Sequence, residues 1–196
     1  VQIAEGLPGF LPLGTAAANV TVLCNYMNSY KVLLEDTLAG AKVHSFCKSS
    51  ANPVEQLSNE RISQLFEGGL SIVTYFGHSS STTLEFNLDN PQNYNNAGKY
   101  PVFFVNGCNA GNFFVFDPLR FTYNETLSEK FTLAKQRGGI AFVASTHFGI
   151  VNYLNIYINS LYRMISQDDY GKSLGIMNRD ALQRMLTLTG DDDYYA

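Results

Sequence analysis

His78 and Cys108 are the two side chains of this sequence whose chemistry can work as a unit. A thiol whose proton is held or taken by an imidazole becomes a nucleophile. The imidazole then has a proton to return to a leaving group. Each residue sits in a glycine-containing turn, Phe76-Gly77-His78-Ser79-Ser80 and Asn106-Gly107-Cys108-Asn109-Ala110-Gly111. Gly77, Gly107 and Gly111 permit tight turns and close backbone approach of a substrate. The backbone N–H groups of Ser79 and Cys108, just past those turns, are the candidate oxyanion donors. His44 and Cys47 are three residues apart, but a metal site needs more ligands and no second pair has ligand spacing. A strand histidine and a buried cysteine is the simpler reading. Cys24, Cys47 and Cys108 make an odd number, so at least one thiol is free or pairs outside the chain. Cys24 falls on a helix face and Cys47 at a strand end, where buried, inert thiols are expected.

The reactive pair needs a scaffold, and the sequence around it predicts one. Residues 71–76 (SIVTYF), 101–105 (PVFFV) and 140–145 (IAFVAS) are short, apolar and β-rich, and residues 42–46 (KVHSF) alternate like a strand. Helical spacing covers residues 16–30, with Val20, Leu23, Cys24 and Met27 on one face. It also covers residues 58–67, with Ile62, Leu65 and Phe66 as the apolar stripe. Thr126 and Glu129 form a capping-box pattern that opens a helix to about Arg137, and residues 152–165 and 173–186 read as two more helices. Residues 6–14 and 49–53 carry turn and linker signatures. Strands alternating with helices imply an α/β fold, a three-layer flavodoxin-like sandwich around a mostly parallel sheet. The strands are apolar on both faces, as helices on both sides require. In such a sheet, ligands bind beyond the carboxyl ends of the strands. His78 follows one apolar strand and Cys108 the next, so adjacency of those strands brings the two side by side.

Composition narrows the function classes. Charged residues are 15% of the chain, hydrophobic ones 45% and aromatic ones 13%, which excludes a disordered chain and supplies one sizeable core. A formal net charge of -4, with 13 scattered basic residues, argues against nucleic acid as a partner. No apolar run approaches the ~20 residues of a transmembrane helix. The chain starts at Val1 without a signal-like segment and stops on Asp191-Asp192-Asp193-Tyr194-Tyr195-Ala196, so it reads as an excerpt of something longer. Asn19-Val20-Thr21 and Asn124-Glu125-Thr126 match glycosylation sequons, although Thr126 already serves as a helix cap.

The stretch from Ser71 to about Leu161 resembles the gingipain-like cysteine peptidases of family C25, which are caspase-like. The matching pieces are SIVTYFGHSS, YPVFFVNGCNAGNF, ETLSEKFTLAKQRGGIAFVAST and NYLNIYINSLY. In that family one strand ends in Gly-His and the next in a small residue then Cys, about thirty residues on. Here the interval is 108 − 78 = 30, and the small residue is Gly107 where gingipains often have Ala. The resemblance implies a cysteine endopeptidase with Cys108 as nucleophile, His78 as general acid/base, and the N–H groups of Ser79 and Cys108 as the oxyanion hole. It also implies a substrate-binding pocket near Phe76, Asn106 and Thr146. The chemistry it implies needs no cofactor, and the substrate is a protein or peptide. Family members are typically bacterial, exported in a type IX secretion context and secreted or held at the outer cell surface. One branch processes the sorting tails of other exported proteins. The resemblance divides the chain into a loop and helix from a partial upstream subdomain, residues 1–31, and a caspase-like catalytic subdomain, residues 32–196. The rest of the N-terminal subdomain is expected to be absent.

Three departures qualify the carry-over. The familiar motif is Gly-His-Gly, and here Ser79 stands third; its N–H still serves unless that position needs positive φ. The chain has no Trp to line a pocket, and Phe76 and Asn106 carry no charge, so a preference for Arg or Lys is not expected. A carboxylate orienting His78 would come from upstream, with Glu85 and Asp89 otherwise reading as solvated loop charges. Asp191–Asp193 could help hold a structural calcium, although a solvated acidic end is the simpler explanation. Two other classes compete with the peptidase: a catalytically silent caspase-like module that binds a peptide or partner protein, and a flavodoxin-like ligand binder. The second lacks a phosphate-cradling glycine loop after any strand.

Overall fold

The computed structural model describes residues 2–4, 16–35, 38–47, 56–84, 88–114 and 125–190. Five strands form one sheet: β1 (Gln2–Ala4), β2 (Ser45–Cys47), β3 (Ile72–Phe76), β4 (Val102–Asn106) and β5 (Ala141–Ala144). Their order is β2-β1-β3-β4-β5 and every pairing is parallel. This is the flavodoxin-like order, and the caspase-like α/β class expected from the sequence is what the chain adopts. The three apolar runs expected to be neighbouring parallel strands are β3, β4 and β5.

Helices cover both faces. The strands alternate their side chains, so Val73, Tyr75, Phe103 and Val105 pack towards helices α2 (Gln56–Gly68) and α3 (Leu127–Leu133). Ile62, Phe66, Leu127 and Phe131 meet them from those helices. On the other face Phe76 and Phe104 pack with helices α1 (Ala16–Glu35), α4 (Val151–Arg163) and α5 (Leu174–Thr189), through Leu23, Tyr30, Leu154 and Ile158 among others. Thr74, a polar residue on that buried face, has its hydroxyl satisfied by the Tyr162 hydroxyl. Tyr30 donates to Asn155 Oδ1 at 2.5 Å, so its buried hydroxyl is paired as well.

Several sequence expectations shift. β1 is a strand that the sequence pattern does not predict, and it lies inside the sheet between β2 and β3. The strand expected at residues 42–46 occupies Ser45–Cys47 instead. The helix opened by Thr126 stops at Leu133 rather than near Arg137. The chain folds back there: the Gly139 N–H donates to Phe131 O at 3.0 Å, and Asn96 brackets Gly138 through both its amide atoms. Gly138 has φ +76, and a Cβ on it would lie 2.1 Å from Phe131 O, so glycine is required at that close approach. Cys24 and Cys47 are not inert thiols but a disulfide joining α1 to β2, with Cα atoms 6.0 Å apart. The Gly/Pro-rich segment 6–14, the turn at 49–53, Glu85, Asn124 and Asp191–Asp193 lie outside the described residues.

Candidate active site

The register of β3 against β4 builds the site. Ile72 pairs with Val102, and each later pair keeps that offset of thirty up to Phe76 with Asn106. The Gly77 N–H donates to Asn106 O at 3.1 Å, which carries the ladder one step further. Two residues beyond the last pair, the same offset sets His78 opposite Cys108. Both are half-buried. Parallel strands lie ~4.8 Å apart, so the two residues leave the sheet as neighbours on its carboxyl edge.

The turns that carry them are locked together. Ser79 Oγ donates to Cys108 O at 2.8 Å, and Tyr75 OH donates to His78 O. Gly107 has no room for a side chain: a Cβ there would lie 2.2 Å from Ser79 Oγ and 2.6 Å from Gly77 O. Beyond the histidine, Ser80 Oγ accepts the Thr82 and Thr83 N–H groups. Ser81 O accepts the Leu127 N–H at 2.7 Å, so this loop satisfies one of the unpaired donors at the start of α3. Glu129 closes the same helix start by accepting both the N–H and the hydroxyl of Thr126. Ser79 is not among the non-glycine residues at positive φ, so its replacement of the usual glycine leaves the backbone unstrained.

The cysteine loop is tied to the neighbouring strand end. Asn109 adopts φ +57, a left-handed conformation that Asn tolerates better than most residues. Its N–H donates to His147 O at 2.9 Å, and the Gly111 N–H donates to Ser145 O at 2.9 Å. Gly111 also touches β5 closely, since a Cβ on it would lie 2.6 Å from Ala144 O. Cys108 is the free thiol among the described residues.

The expected pocket residues separate. Asn106 is buried, donates to Tyr75 O at 3.3 Å and lines a cavity of about 170 Å³ beneath the ends of β4 and β5. Phe76 is turned into the core, stacked on Tyr26 with ring centroids 6.3 Å apart, and does not line that cavity. Thr146 is exposed; its neighbour Ser145 forms part of the wall. Tyr157 of α4 and Asn178 of α5 also line it. Sequence reasoning missed both, because helix periodicity marks a buried face without saying which strand end it meets. Asp89 is half-buried and lines a separate polar cleft with Gln92 and Lys130. Among the described residues no group of three or more His, Cys, Asp or Glu could hold a metal ion.

Comparison with known proteins matches residues 8–196 to the model of a family described as Peptidase family C25. No curated protein matches. Among solved structures, the crystal structure of the Arg specific cysteine proteinase gingipain R (RGPB) aligns with TM-score 0.70 at 18% identity, over 97% of this chain and 43% of that one. A complex of Porphyromonas gingivalis RgpB pro- and mature domains aligns with TM-score 0.60 at 17% identity, over 95% and 42%. A structure described only as a protease gives TM-score 0.61 at 14% identity, over 99% and 44%. The chain thus spans less than half the length of the solved chains it matches.

Proposed function

Because the chain belongs to peptidase family C25, we propose that it carries the Cys-His dyad of a cysteine endopeptidase, with Cys108 as nucleophile and His78 as general acid/base. The observation that carries this reading is the constant register of β3 and β4, which aligns His78 with Cys108 at the sheet edge where α/β enzymes bind ligands.

The reaction follows from that pairing. The Cys108 proton passes to the His78 imidazole, and Sγ attacks the scissile carbonyl carbon. A C–S bond forms, and the carbonyl oxygen becomes an oxyanion that accepts from the Ser79 and Cys108 N–H groups. When the oxyanion collapses, the C–N bond breaks and His78 returns its proton to the leaving amine. Water then attacks the acyl-enzyme thioester, giving a proton to His78, and the C–S bond breaks to release the carboxylic acid. His78 restores the Cys108 thiol. Side chains and N–H groups of this chain supply each step. The bond between Ser79 Oγ and Cys108 O supports the reading, because it holds the two oxyanion donors on one rigid edge.

The substrate is a protein or peptide, and the protein works outside the cell or at its outer surface. The Cys24–Cys47 disulfide supports that location, since such bonds persist in oxidising compartments. Among the described residues no helix is long and apolar enough to cross a membrane. The test is peptide cleavage by the full-length protein and its variants. Cys108→Ala and His78→Ala should each remove at least about a thousandfold of turnover, and the double variant little more, because the dyad acts as a unit. Undiminished cleavage by Cys108→Ala would overturn the assignment.

A further inference from the structure

The cavity beneath the ends of β4 and β5 is the size of one side chain. Sites for whole ligands run from ~300 Å³ upwards, whereas a cavity of ~150 Å³ suffices for benzene. This one measures about 170 Å³. It adjoins the nucleophile: Asn106 lines it two residues before Cys108, a chain distance of at most ~7 Å. Ser145 lines it too, and its carbonyl accepts the N–H of Gly111 at the end of the Cys108 loop.

The walls are uncharged. Leu154 and Leu182 give the cavity an apolar body, and no charged residue is among the described residues that line it. Tyr157 OH donates to Asn178 Oδ1 at 2.5 Å. Burial pushes the Tyr157 phenol up, so it stays neutral and keeps its proton for that bond. Asn178 thereby spends its oxygen on Tyr157 and keeps its two amide N–H groups as donors. Asn106 spends one N–H on Tyr75 O and keeps its amide oxygen as an acceptor. A charged side chain entering here would lose its hydration and gain no counter-charge. A primary amide would meet a donor and an acceptor.

We propose that this cavity receives the substrate side chain preceding the cleaved bond, and that Tyr157 and Asn178 make it selective for uncharged side chains of glutamine or leucine size. The inference rests on the reading of Cys108 as nucleophile.

Two measurements on the full-length protein separate the two ideas. Peptides with Gln, Leu, Arg, Lys or Glu before the scissile bond are tested for turnover by the native protein and for binding to its Cys108→Ala variant. Gln and Leu should exceed Arg, Lys and Glu by at least tenfold in both. Asn178→Asp should shift the ranking towards Arg and Lys by at least tenfold. Leu182→Ala, at the partly exposed side of the cavity, should shift it towards larger apolar side chains and serves if the first variant fails to fold. A preference for Arg, Lys or Glu, or a ranking that neither variant moves, would overturn the proposal. Neutral preference in binding without any turnover would sink the peptidase reading and leave the pocket assignment standing. Absence of both turnover and selective binding overturns the pocket assignment.

Discussion

Gly107→Ala is the sharpest probe of how the two reactive turns are held. The added Cβ would lie 2.2 Å from Ser79 Oγ, 3.0 Å from Ser79 Cβ and 2.6 Å from Gly77 O. Ser79 can rotate away, but it then gives up its 2.8 Å bond to Cys108 O, worth ~1 kcal/mol. Gly77 O is backbone, and relieving that contact means parting the strand ends by about 0.7 Å, an overpacking cost of ~1–3 kcal/mol. The expected loss of stability is therefore ~2–4 kcal/mol. If His78 and Cys108 act as proposed, displacement of that size between them should lower peptide turnover by up to ~100-fold. Ser79→Gly removes two of the three contacts, so Ser79→Gly/Gly107→Ala should recover part of both losses, with a coupling of at least ~1 kcal/mol. Urea unfolding followed by circular dichroism measures the stabilities, and fluorogenic peptide cleavage measures turnover. Losses that add within ~0.5 kcal/mol in the double variant would refute the reasoning.

The disulfide closes a loop between residues 23 apart, and by loop entropy its reduction should cost ~3 kcal/mol, read as a lower urea midpoint in dithiothreitol. Iodoacetamide should label Cys108 alone in the unreduced, folded protein, by mass spectrometry of its peptides; labelling of Cys24 or Cys47 would show the bridge is not formed. Glu129→Ala removes the acceptor for both Thr126 groups at the start of α3 and should cost ~1–2 kcal/mol in the same unfolding assay. Asn109→Gly should be tolerated, whereas Asn109→Val forces a β-branched residue into φ +57 and should cost ~1–2 kcal/mol together with turnover.

What the sequence disclosed, and what it withheld, divides along physical lines. β3, β4 and β5 announced themselves as apolar runs bounded by Gly, Pro and Ser, and their helices by 3.6-residue spacing. The proposed dyad is legible because His78 and Cys108 each sit one turn past such a run. β1 has three residues, too few for a pattern to build up, and only its partners on both sides reveal it as an inner strand. The Cys24–Cys47 bridge depends on how α1 lies against β2, a tertiary distance with no local signature. The early end of α3 follows from Asn96, 42 residues from Gly138 along the chain, capturing the turn after the helix. Tyr157 and Asn178 meet only because α4 packs on α5, so their contribution to the cavity is invisible until both helices are docked.

The constant offset across β3 and β4 has an evolutionary corollary. Thirty is set by the five residues of β3 and the connection after it, residues 77–101, which holds the 3₁₀ turn at Pro91–Asn93; it is not a requirement of the chemistry. An insertion within that connection would change the interval while leaving both side chains where they are. A single deletion inside β4 would instead reverse its inward and outward positions and carry the thiol to the other face. What the sheet fixes is the parity counted from each strand to His78 and to Cys108. Distant relatives should be aligned by anchoring on the two strands, with the histidine-to-cysteine interval left free to drift.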